Sequence, residues 1–155
     1  MTRLLTLVAL GLAMTFAPTL SEATTSKPIH VIAKVVQQTF TGDLASPKLD
    51  DRIINNVELF DDSGTKVGAG GAVCTIVSIE ESPQDPLPDT LVQCLLSAVF
   101  DKGQIIFGGL APFPEAGAVG HFGILGGTDA FRKARGDATL VVLSNGDSDT
   151  ILDLE

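Results

Sequence analysis

His121 is the side chain in this sequence best suited to moving a proton. It stands in the apolar run Val119–Leu125, between Gly120 and Phe122. Imidazole has an ordinary pKa of about 6.5, so it exchanges a proton near neutrality. A lone histidine in a strand can equally be a hydrogen-bonded core or rim group, and the sequence leaves both roles open. His30 lies near the start of the folded region and reads as exposed. Cys74 and Cys94 are the only cysteines. Two isolated histidines and two separated cysteines lack the spacing of a metal site, so no metal and no cofactor is expected. Gly68–Gly71 and Gly126-Gly127 are not phosphate loops, because neither opens a helix or carries the required lysine. The serines cluster in turns with no strand-to-helix elbow, which argues against a Ser-His-Asp hydrolase. Arg132 and Arg135 follow a glycine-rich turn and read chiefly as braces to backbone carbonyls.

The elements that must position these groups are strands. Strand-forming runs alternate with turn clusters at Ile29–Phe40, Arg52–Phe60, Val67–Ile79, Leu91–Phe100, Gln104–Leu110, Val119–Leu125, Ala138–Leu143 and Thr150–Leu154. No stretch holds a helical period. Asp101-Lys102-Gly103 predicts a tight turn, and Asn145-Gly146 predicts a two-residue hairpin. Eight short strands suit an all-β, closed antiparallel barrel whose interior holds side chains or one small ligand. Closure would pair the last strand with the first and leave no exposed edge.

Residues 1–23 read as a secretory signal. Arg3 gives the positive start, Leu4–Ala17 the short apolar core, and Ser21-Glu22-Ala23 the small residues before a cut. The apolar run is too short to cross roughly 30 Å of hydrocarbon. The expected domain is therefore residues 24–155, secreted or periplasmic, with no membrane association after cleavage. The formal net charge is −9. An acidic chain without basic clusters disfavours nucleic acid and anionic membranes as partners. Its acidic residues fall mostly in turns, where they form a solvated rim. An oxidising compartment makes Cys74 and Cys94 a disulfide candidate. They flank the loop Ser82–Asp89. Symmetric pairing about that loop sets Cys74 opposite a residue near Ser97, so a Cys74–Cys94 bond calls for a bulge in the hairpin.

Gly126-Gly127-Thr128 through Phe131, followed by Ala134-Arg135-Gly136, resembles the "GGTGxFxxARG" signature of the allene oxide cyclase and dirigent barrel superfamily. Asn56, Gly64, Val67-Gly68, Gly71 and Cys74 resemble the second and third strands of allene oxide cyclases. Gln93, Phe100, Gly103 and Gln104–Gly109 resemble a hairpin shared with dirigents. The likeness spans roughly residues 30–143. It implies an eight-stranded barrel with a central cavity, a homotrimer, and Phe131 plugging one barrel end. It implies that Asn56, with Ser46 and Pro47, helps hold an ordered water, and that Cys74 lines the cavity as a free thiol. The family's acidic residue falls near Gln37 or Gln38. No Asp or Glu occurs between Ile29 and Thr41, so the carboxylate has no counterpart, and Gln38 can orient a polar group but not take its proton. Dirigents add a tyrosine, and this chain has none.

The residues expected to face inward are Val36, Gln38, Asn56, Cys74, Phe107 and His121, with Gln38, Asn56 and His121 as the polar groups able to take part in a reaction. A register error of one residue would exchange the two faces. Two functions follow. One is an isomerase or cyclase that folds a hydrophobic substrate by positioning. The other is a non-catalytic, dirigent-like or lipocalin-like protein that binds a hydrophobic small molecule.

Overall fold

The structure, a computed structural model, describes residues 27–44, 46–79 and 90–155. The expected signal segment lies outside these residues. Eight strands run in chain order: β1 (Ile29–Phe40), β2 (Arg52–Phe60), β3 (Lys66–Ser78), β4 (Leu91–Phe100), β5 (Gly103–Pro112), β6 (Val119–Gly127), β7 (Gly136–Val142) and β8 (Ser148–Leu154). All are antiparallel to their neighbours and close into one barrel, with β8 returning to β1. The expected eight-stranded closed barrel is the observed one.

The core follows from strand parity. Along β4, Val92, Cys94, Leu96 and Ala98 are buried while Leu91, Gln93, Leu95 and Val99 are exposed. Opposite side chains of a strand face opposite sides of a sheet. The buried set continues through Ile105 and Phe107 of β5, Phe122 and Ile124 of β6, and Leu152 of β8. The Phe107 and Phe122 rings meet edge-on at 6.2 Å across the interior, a favourable aromatic geometry.

The signature segment closes one end. It holds a single 3-10 turn at Asp129–Phe131. That turn delivers Phe131 against Phe100, with ring centroids 5.9 Å apart. Gly127 makes this closure possible. A Cβ there would collide with the carbonyl oxygens of Gln104 and Phe131. Gly136 has φ +120 and lies against the Asp153 carbonyl, a left-handed backbone that favours glycine. Arg135 donates from Nη1 to the Ala134 carbonyl at 2.7 Å, the bracing role expected of it.

Two turns differ from the sequence reading. The Asn145-Gly146 hairpin has a three-residue loop. Leu143 and Asp147 still pair (N to O, 2.8 Å), and Gly146 donates to Leu143 at 3.0 Å with φ +85. Such a loop ends on a left-handed glycine. The β3–β4 hairpin sets Cys74 directly opposite Cys94, and Ser97 opposite Gly71. The expected irregularity is present between Ile76 and Ser78, on the loop side of the cysteine pair, and accounts for one residue of the displacement. The pairing axis lies nearer β3 than the turn-rich composition of the loop implies.

Candidate functional site

A cavity of about 220 Å³ runs inside the barrel. Its wall is largely aliphatic and aromatic: Val31 and Ala33 of β1, Ile53 and Leu59 of β2, Val92 and Leu96 of β4, Phe107 of β5, Phe122 of β6 and Leu152 of β8. It extends toward Pro112, Pro114, Ala118 and Gly146, which sit at the barrel end opposite Phe131.

Among the described residues, none that lines the cavity is ionisable. The polar side chains among them are Gln38, Asn55, Ser97, Ser148 and Thr150. Asn55 and Gln38 are direct cross-strand partners of β2 and β1, so the two amides stand side by side. Asn55 Oδ1 and Thr150 Oγ1 have no hydrogen-bond partner within the described protein. An unpaired polar atom in an apolar wall costs on the order of 1–3 kcal/mol.

The expected site residues divide by strand face. Cys74 and Phe107 are buried and line the cavity; Gln38 borders it too, but as an exposed side chain. Val36 does not. It is 60% exposed, because β1 is irregular between Val35 and Gln37. Val31, Ala33 and Val35 face in on odd positions, and beyond the bulge Gln38 faces in on an even one. One extra residue thus turns Val36 outward while leaving Gln38 inward. The Val35 N–H at this bulge donates to Asp147 Oδ1 at 3.0 Å.

Asn56 is also corrected to the outer face. It is exposed, and its Nδ2 donates to Gln37 Oε1 at 3.2 Å. The inward asparagine is Asn55. The sequence held a signal for this: Ile53, Asn55, Val57 and Leu59 share the apolar parity of β2, whereas Asn56 shares a face with Arg52 and Glu58. His121 likewise points outward, exposed beside Thr139 Oγ1 at 3.4 Å. Its neighbours Gly120 and Phe122 take the inner face. Ser46 is exposed and Pro47 half-buried in the β1–β2 connection, and neither lines the cavity. Thr150 was missed, although Thr150, Leu152 and Leu154 share one parity against Asp149 and Asp153.

Cys74 and Cys94 form a disulfide, with Cα atoms 4.0 Å apart. The expectation of a free Cys74 thiol is therefore replaced by a disulfide facing the cavity. Groups with displaced pKa values lie outside it. His30 is held above its ordinary value, first by its hydrogen bond to Asp149 (2.7 Å) and also by Asp62, against a lowering by burial. Asp61 is held below the usual carboxylate range by the Ser63 hydroxyl (2.6 Å) and the Thr65 N–H (2.9 Å). Among the described residues no group of three or more His, Cys, Asp or Glu is placed to hold a metal ion.

The disulfide fits a secreted or periplasmic protein. Among the described residues no helix is long and apolar enough to cross a membrane.

No family model matches this chain, and no curated protein matches it. Solved structures do. A pyocyanin demethylase is 24% identical, with a TM-score of 0.68 over 83% of this chain and 100% of its own. AbnU, an exo-specific intermolecular Diels-Alderase, is 15% identical, with a TM-score of 0.65 over 83% of this chain and 98% of its own. A nonspecific heme-binding cyclase of neoabyssomicin biosynthesis is 15% identical, with a TM-score of 0.69 over 84% of this chain and 67% of its own. At these identities the likeness is one of fold: this chain shares the small eight-stranded barrel on which those proteins are built.

Proposed function

We propose that this protein is an exported barrel that binds one hydrophobic small molecule in its cavity and acts on it as a cyclase or isomerase by positioning. The observation that carries this reading is an apolar cavity inside a closed barrel whose few polar groups include the adjacent amides of Gln38 and Asn55. Pockets of this composition are the usual sites of small-molecule binding. Holding a flexible substrate in a reactive geometry can supply several kcal/mol of a barrier without a charged catalyst. Cyclases and Diels-Alderases with this fold make an intramolecular or cycloaddition chemistry a reasonable first assay.

A second reading is favoured by one observation. Among the described residues the cavity wall offers no acid or base, so a protein that only holds its ligand, while another agent reacts, would need nothing more. Turnover separates the two. Wild type and Gln38→Ala would be assayed on allene oxides and on polyenes, with heat-treated protein as control. The positioning reading expects wild type to exceed the control, and Gln38→Ala to lose roughly tenfold, the scale of one polar contact. Ligand binding without any turnover above the control would leave the non-catalytic reading.

The resemblance also implies a homotrimer. We propose the outer face of β3–β5 as its contact, because Val73, Leu95, Val99 and Leu110 are all exposed there. Clustered apolar surface of this kind marks interaction sites.

A further inference from the structure

We propose that the cavity selects an uncharged apolar molecule bearing at least one hydroxyl or N–H group, with Asn55 as the acceptor that selects it. This rests on the cavity being a ligand site and adds the chemical class of the ligand.

Two observations converge. The first is the electrical neutrality of the wall. Among the described residues, no Asp, Glu, Lys, Arg or His lines the cavity. A carboxylate or ammonium entering it would lose its hydration and meet no opposite charge, which strongly disfavours an ion. The chain's net charge of −9 adds a long-range bias against anions.

The second is the pair of unpartnered oxygens. Thr150 is 4% exposed, and its Oγ1 has no partner within the described protein. Asn55 is half-buried, and its Oδ1 is shielded from solvent and unpaired; both side chains line the cavity. An amide oxygen accepts but cannot donate, so only a donor completes it. A threonine hydroxyl can do either. A site built to pair a ligand donor rejects an analogue that lacks it, because its own buried group is then left unpaired. A wholly hydrocarbon ligand would leave Asn55 Oδ1 unpaired, whereas a neutral alcohol, phenol or N–H heterocycle seated beside it would pair it.

The test uses the mature protein with three probes of one shape: naphthol, methoxynaphthalene and naphthoate, titrated by calorimetry at neutral pH. Naphthol is expected to bind at least tenfold more tightly than methoxynaphthalene, with naphthoate the weakest. Asn55→Leu is expected to abolish the preference for naphthol while keeping affinity for methoxynaphthalene. If Asn55→Leu does not fold, Asn55→Ala carries the test and should likewise remove the preference. Equal binding of naphthol and methoxynaphthalene to wild type would overturn the proposal, since water alone would then satisfy the two oxygens. Tightest binding of naphthoate, or a preference that survives Asn55→Leu, would also overturn it. Failure of all three probes and of naphthalene itself to bind would instead remove the ligand-cavity reading on which the proposal rests.

Discussion

Asn55 and Asn56 are neighbours in sequence and face opposite environments. One enters a wall of valine, leucine and phenylalanine; the other bonds to Gln37 on the outside. Chemistry at this residue scale is therefore set by parity as much as by side-chain type. Steric demands act at the same scale. Gly127 has backbone carbonyls where any Cβ would sit. Gly127→Ala is expected to cost about 2–3 kcal/mol of stability, the range for forcing atoms into packed structure. Urea unfolding followed by circular dichroism measures it, and an unchanged midpoint would show that the Phe131 arm can give way.

At the scale of elements, two side-chain links reinforce neighbouring strands, one within a hairpin and one at the seam between β1 and β8. The Cys74–Cys94 bond ties β3 to β4 inside the barrel. A loop with a sequence separation of 20 corresponds to roughly 3 kcal/mol in chain-entropy models. Replacing both cysteines by serine is expected to lower stability by about that amount. Thiol counting in denaturant should find no free thiol in the wild-type protein; two free thiols per chain would contradict the bond. The second link is His30 of β1, which bonds Asp149 of β8 and Asp62 beyond β2. Its folded pKa is raised above 6.5, so folding favours the protonated ring. That stabilisation is fully present below the unfolded pKa and is lost as pH rises through the higher folded one. The histidine side chain is 37% exposed, so screening limits the contribution to less than about 1 kcal/mol. Urea midpoints measured from slightly acidic to slightly alkaline pH should fall more for wild type than for His30→Gln. Equal slopes would show that this ring adds nothing to the seam.

At the scale of the whole molecule, the barrel leaves its strands no free edge. Export predicts Thr24 as the first residue of the secreted or periplasmic protein, read by mass spectrometry; an intact Met1 terminus in soluble cytoplasmic protein would exclude it. Self-association through β3–β5 predicts a particle of trimer mass by light scattering. Leu95→Lys, which sets a charge on that apolar face, should shift it toward the monomer. A wild-type monomer at high concentration would remove the trimer.

By itself the sequence determined the eight strands nearly to the residue. Arg52–Phe60 and Leu91–Phe100 were read with their observed limits, because β-branched and apolar runs between turn clusters are local signals. It also showed that the carboxylate of the resembled family has no counterpart, since no acidic residue lies on β1. What the tertiary structure decided was direction. The bulge at Val35–Gln37 exchanged faces partway along β1. The hairpin axis of β3 and β4 placed Cys74 opposite Cys94 rather than Ser97. His121 turned out to solvent because Gly120 and Phe122 pack inward. A strand's period is two, so one inserted residue or a small displacement of a turn sends every later side chain to the other face. The hydrogen-bonded closure of the whole barrel settles which face is inside.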